Sequence, residues 1–301
     1  MLRRSAVKRH PMKMIDAHIH FSDRPGFQET AAEAGHVNTP EHLKQEFDRL
    51  GFALGIAMGV GDGGRDEGEC RPLLPDLAGL EAARQGEQPD FIAFCCGLDS
   101  GAITPENTPR ALELFEKYLK MPRCVGLKLY TGYQSVYPGD PRHAPFFELA
   151  GACGVPVVFH TGDTAGSRGK LKYAHPLTVD DPASDFPGTT FVMAHYGNPW
   201  IVDATEVAAK HENVFIDLSG LAVGRFEPEA FCAEYHGYLE HLKTWITYLS
   251  DYGKFLYGTD WPLVDPEAYL QLIRRLIPER HHNAVFCENA LRVFPKLEKL
   301  L

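Results

Sequence analysis

Eight apolar runs, each separated from the next by a stretch with helical signals, constrain this chain more than any other feature. The runs are Met14 to Phe21, Ala53 to Val60, Phe91 to Leu98, Cys124 to Tyr130, Pro156 to Gly162, Thr190 to Gly197, Val214 to Gly220 and Phe255 to Pro262. Their near-continuous apolarity, without strict alternation, fits parallel strands buried on both faces under a layer of helices. Proline marks most helix starts. Thr39-Pro40-Glu41 supplies a cap, a proline at the first helical position and an acid in the first turn, so a helix runs from there to Leu50. Further helices are expected over Pro72 to Arg84, Thr108 to Lys120, Pro145 to Gly154, Pro199 to His211, Pro228 to Tyr252, Pro266 to Leu276 and His281 to Leu300, the last broken near Glu288 and Pro295. Eight strands alternating with helices are the number that closes a (β/α)8 TIM barrel, so the expected fold is a single α/β barrel over residues 14–301. Ser22 to Asn38, Thr131 to Ala144 and Asp163 to Leu177 have no clear period and read as long loops.

Length and composition allow this fold and narrow the function. At 301 residues with 44% apolar and 23% charged residues, the chain has ample material for a core. Its formal charge of -10 repels phosphate backbones, so no nucleic-acid partner is expected. Seven cysteines without regular spacing suit free thiols in a reducing compartment. No run approaches the roughly 18 apolar residues of a membrane span, so a cytoplasmic protein without a membrane partner is expected. Residues 1–13 read as a disordered basic arm, and Gly61 to Gly68 as a solvated or lid-forming loop lacking the lysine and order of a P-loop.

Polar residues at the ends of apolar strands then stand out. His18 and His20, two apart, share a face of the first strand with Asp16 behind them. An isolated His-x-His is as often a pair of ordinary core or surface histidines. Lys128, His160, His195 and Asp260 fall at or near the ends of strands four, five, six and eight, on the rim where barrel active sites are built. A barrel gathers all of them. Neutral imidazoles with a carboxylate suit one divalent first-row ion, zinc first, with manganese, iron or cobalt as alternatives. Such an ion brings the pKa of a bound water toward about 7. Asp260 is the candidate to touch the metal and take the water's proton, and His195 the candidate to polarise a carbonyl or move a proton. Lys128 is costly to bury unless paired, modified or bound to something.

The motifs Asp16-x-His18-x-His20, Gly126-Leu127-Lys128-Leu129-Tyr130, Phe159-His160-Thr161-Gly162, Ala194-His195-Tyr196-Gly197-Asn198-Pro199-Trp200 and Tyr257-Gly258-Thr259-Asp260-Trp261-Pro262 resemble the amidohydrolase superfamily. Within it they are similar to the amidohydrolase-related branch that includes aminocarboxymuconate-semialdehyde decarboxylase and related lactone hydrolases. The resemblance implies His18, His20, His160 and Asp260 as metal ligands and His195 as the nearby catalytic histidine. It also implies either one metal, with Lys128 as a partner of the substrate, or a carboxylated Lys128 bridging two metals.

Three functions are then weighed. The first is a metal-dependent hydrolase of a small carboxylated or cyclic ester or amide. The second is a non-oxidative decarboxylase on the same site, and the third a catalytically silent binding protein, which the intact ligand set argues against. Tyr130, Arg142 and Arg168 are candidate substrate-binding residues. A small-molecule substrate is expected, and homo-oligomers are compatible with the sequence.

Overall fold

Eight parallel strands, ordered β1 to β8 as in the chain, form one sheet in a computed structural model that describes residues 13–61 and 69–301. They are β1 Met14–Ile19, β2 Phe52–Met58, β3 Ile92–Leu98, β4 Cys124–Leu129, β5 Val157–Phe159, β6 Phe191–Met193, β7 Val214–Asp217 and β8 Phe255–Leu256. The chain beyond β8 closes the barrel. The Ala17 amide donates to the Tyr257 carbonyl (2.8 Å), Asp260 to His18 (2.8 Å) and His20 to Trp261 (2.6 Å), so β1 pairs with residues just past β8. Nearly every strand residue is buried, which is why the runs are continuously apolar.

The interior below the rim is filled by side chains such as Leu54, Ile56, Ala93, Cys95, Val125, Val158, Val192 and Leu256, packed with Ala290, Val293, Phe294 and Leu297 of the C-terminal segment. That segment plugs the N-terminal end of the barrel. Lys296 pins it there, donating to the carbonyls of Leu119, Met121 (3.2 Å) and Cys124 (2.9 Å), and so capping the end of the helix Thr108–Leu119 with a cation. Lys254 does the same past the helix Ile201–Lys210, reaching the carbonyls of His211, Glu212 and Val214.

Helix starts follow the proline signals. Thr39 Oγ1 accepts from the His42 amide (3.2 Å) to start Pro40–Leu50, and Asp265 accepts from Ala268 (2.8 Å) to start Pro266–Leu276. Five expectations change. The stretch expected as a loop after β1 contains the helix Pro25–Glu33, formed although its pattern is weakly amphipathic, with only Ala31 fully buried. The helix expected over Pro72 to Arg84 is confined to Leu80–Gln85, because Gly61 and Gly97 pair with Leu74 and Leu73 and hold the preceding residues extended. The long helix after β7 is two, Pro228–Glu234 and His236–Leu249, and β5, β6 and β8 are shorter than their apolar runs. The loops after β4 and β5 carry single turns of helix at Thr131–Gln134 and Leu171–Ala174.

All seven cysteines are free. Among the described residues no helix is long and apolar enough to cross a membrane. The basic arm, except Lys13, and the glycine loop beyond Gly61 lie outside the described residues.

Candidate active site

The C-terminal rim brings His18, His20, His160, His195, Lys128 and Asp260 into one buried cluster. Two of these residues are held in an unusual backbone conformation. His195 (φ 60°) and Asp260 (φ 64°) are left-handed, a region that costs a non-glycine residue about 1–2 kcal/mol and persists only where surroundings impose it. For Asp260 those surroundings are the amide bond to the His18 carbonyl and the Leu263 amide donating back to Asp260 (3.0 Å). For His195 they are its own amide donating to Asp217 Oδ1 (3.1 Å) and the Asn198 amide donating to its carbonyl (2.9 Å). Gly220 faces the cluster at φ 65°, where a β-carbon would lie 2.8 Å from His195 Nδ1; only glycine fits both the conformation and the space.

His20 Nε2 lies 3.2 Å and His18 Nε2 3.6 Å from Asp260 Oδ1, and Asp260 Oδ2 is 4.0 Å from His195 Nδ1. His18 donates from Nδ1 to Asp217 Oδ2 (2.8 Å), which leaves its Nε2 lone pair facing Asp260. Among the described residues, His18 Nε2, His20 Nδ1, Asp260 Oδ1, Lys128 Nζ and Tyr130 Oη are buried with no hydrogen-bond partner. Such a concentration of unsatisfied polar atoms is expensive without something to bind.

A proton count sharpens the point. His160 Nε2 faces the Asp163 carbonyl (2.8 Å), so that nitrogen carries the ring's hydrogen and Nδ1 is bare. Ser219 gives its one hydroxyl proton to Asp217, so its oxygen accepts from His195 Nδ1 (2.9 Å) and His195 Nε2 is bare as well. The two bare nitrogens face each other at 3.1 Å. Lone pairs so placed call for a positive charge beside them.

The charges agree. Burial, reinforced by the charge of Lys128, takes His18 down to about 3. Burial and the neighbouring His195 and Lys128 hold His160 well below the usual imidazole range, and burial lowers His195 too. All three are neutral bases at neutral pH. Burial opposes ionisation of Asp260, yet the neighbouring imidazoles of His195, His20 and His18 hold its carboxyl well below the usual range; Asp217 is held low chiefly by His18. Burial pushes Lys128 down to about 8. Two carboxylates against one ammonium leave room for added positive charge. His18, His20 and Asp260 form one potential ion seat, with ligand atoms within 4.8 Å of one another, and His18, His195 and Asp217 form another. The residues therefore fit a divalent cation.

Above the cluster lies a cavity of about 430 Å³, floored by His20, His160, His195 and Asp260 and walled in part by Arg24, Phe27, Tyr130 and Tyr133. Phe27 stacks on His20 (4.7 Å between centroids), and Tyr133 meets His160 edge-on (4.9 Å) while its hydroxyl accepts from the Ala165 amide (2.8 Å). Lys128 Nζ sits 5.2 Å from the Tyr130 ring centroid. Arg142 instead donates to Asp140 (2.8 Å) and the Ser100 carbonyl (3.1 Å), and neither it nor Arg168 lines the cavity.

Asp217, Ser219, Arg24 and Phe27 are additions to the residues the sequence singled out. An acid closing an apolar strand carries the same signal as Lys128, so Asp217 was legible in principle. Arg24 and Phe27 lie at the start of a helix without a strong period and carry no such mark.

The chain matches the amidohydrolase family over residues 15–296. No curated protein matches it. Among solved structures it resembles a probable 2-pyrone-4,6-dicarboxylic acid hydrolase from Acinetobacter baumannii with citric acid bound (16% identity, TM-score 0.61, 94% of this chain and 100% of that one). It also resembles a 5-carboxyvanillate decarboxylase from Sphingomonas paucimobilis (16%, 0.62, 94% and 99%) and an amidohydrolase from Burkholderia multivorans with bound zinc (15%, 0.63, 94% and 99%). At these identities the likeness is one of fold.

Proposed function

This chain belongs to the amidohydrolase family, and on that premise we propose that it is a metal-dependent hydrolase of a small carboxylated or cyclic ester or amide. One observation carries the reading: the bare nitrogens of the histidine cluster and the unpartnered Asp260 Oδ1 converge on the floor of a cavity sized for a small molecule. His18, His20, His160 and Asp260 would hold one divalent ion, zinc before manganese, iron or cobalt; the zinc named for the Burkholderia protein supports that order. When bound, the ion supplies Lewis acidity and makes water a usable nucleophile near neutral pH.

The protein's own groups do the rest. Asp260, ionised across neutral pH, accepts the proton of the attacking water. His195, neutral with Nε2 bare, takes up a proton there and passes it to the leaving group. Burial pushes the Tyr130 hydroxyl well above its usual range, so it stays protonated and donates to a substrate oxygen; Lys128 adds positive charge behind it. Arg24 at the cavity wall meets a carboxylate, and Phe27 and Tyr133 suit the faces of a flat ring.

The test is product analysis with zinc-loaded protein on two panels, carboxylated six-membered lactones and carboxylated phenols. Ring-opened acid without carbon dioxide is expected from the first panel. Carbon dioxide from the second, with no lactone opened, would replace hydrolysis with the decarboxylation that the Sphingomonas protein's name describes. Turnover of neither panel would contradict both readings.

A further inference from the structure

Two ion seats share His18, and the hydrogen bonds around Asp217 decide between them. Asp217 Oδ2 accepts from His18 Nδ1 (2.8 Å). Its Oδ1 accepts from the amides of His195 (3.1 Å) and Ser219 (3.0 Å) and from the Ser219 hydroxyl. Three donors crowd Oδ1 and His18 holds Oδ2, so the carboxylate is committed to orienting its neighbours, with at most one Oδ2 lone pair left open. Asp260 Oδ1, by contrast, has no hydrogen-bond partner.

We propose that Asp217 is a positioning residue for the metal reading above: it orients two histidines at once, turning the Nε2 lone pairs of His18 and His195 toward the cavity floor. It acts on His18 directly, by holding the proton on Nδ1. It acts on His195 twice, by fixing its left-handed backbone through the amide and by committing the Ser219 proton, so that His195 must place its own hydrogen on Nδ1. A metal ligand and the proposed proton carrier thus take their tautomers from one carboxylate on β7. A carboxylate behind a ligating imidazole fixes ring and tautomer and raises ligand basicity; here the same group also serves the histidine to which the proposed function gives proton transfer. With Nε2 bare, His195 accepts a proton before it can give one.

The experiment pairs Asp217→Asn with Ser219→Ala in the full chain and has two readouts. Nitrogen-15 NMR of the metal-free protein reads the tautomers. His18 and His195 are expected as Nδ1–H forms in the parent, and Asp217→Asn, which offers an amide N–H where His18 needs an acceptor, moves His18 to Nε2–H. Chelator competition with zinc is expected to show about a 10- to 100-fold loss of affinity in that variant. Ser219→Ala changes the His195 tautomer alone and leaves zinc affinity within about twofold, and it carries the test by itself if Asp217→Asn does not fold. Unchanged tautomers in both variants, or in the serine variant alone when only that one folds, overturn the proposal. A parent that binds no zinc refutes the metal reading, while the tautomers still decide the role of Asp217.

Discussion

Replacing Asp260 with asparagine is expected to lower kcat about 1,000-fold, within the range of 100 to 10,000 typical of losing a general base, while leaving the circular dichroism spectrum unchanged. Three features combine to make the effect large. The carboxyl is ionised despite full burial, because His195 and His20 hold its pKa well below the usual range. Its Oδ1 faces His18 and His20 with no hydrogen bond of its own, so an amide there loses charge at the point where the imidazoles converge. Its left-handed backbone is pinned by amide bonds to and from β1 and Leu263 that asparagine keeps, and asparagine tolerates that conformation. The fold should therefore survive while the chemistry does not. Steady-state kinetics on whichever panel is turned over measure it, and full activity in the variant would remove Asp260 as the proton acceptor.

Replacing Lys128 with methionine is expected to stabilise the metal-free protein while depressing turnover. The Lys128 ammonium is fully buried on β4 with no hydrogen-bond partner, and burial lowers it from 10.5 to about 8. Below about pH 8 the folded protein carries this charge at a cost of about 3 kcal/mol, at about 1.4 kcal/mol per pH unit. Between pH 8 and 10.5 the unfolded chain holds a proton that the folded chain has lost, so stability rises with pH across that window and is level above it. Methionine has similar length without the charge, so the melting temperature at pH 7 should rise by about 5 °C, at about 1.6 °C per kcal/mol for a chain of this size. The rise between pH 8 and 10.5 should also disappear. Denaturant titrations of parent and variant at pH 7 and 10 check both. A variant less stable at pH 7, with the rise intact, would mean that the ammonium is paired in solution.

These two residues also mark how far the sequence could be read. His18, His160, His195, Lys128 and Asp260 were visible because each interrupts or closes an apolar run, and a barrel has one rim on which such interruptions meet. The fold was visible for the same reason: strands buried on both faces leave a long apolar signature, and prolines announce the helices between them. The orientation of the site was not. Whether Asp260 and His195 are left-handed depends on which amide finds Asp217 or β1, and such long-range hydrogen bonds leave no local pattern. The same holds for the tautomers, which follow from Ser219 giving its proton to Asp217. Substrate contacts were the least legible. Arg142 and Arg168 were singled out by charge and by position in loops, but charge does not say which way a loop folds. Among the described residues the cation that lines the cavity is Arg24, which precedes a short helix after β1 whose weak amphipathicity hid it.

A cation at the floor of the barrel is the central requirement of the proposed function, and metal analysis of the purified full chain tests it most directly. One divalent ion per chain is predicted, zinc first, removed by chelator together with activity and restored with it on adding zinc, and absent from His18→Ala. A parent protein without a bound divalent ion, whose activity chelators leave untouched, would contradict it.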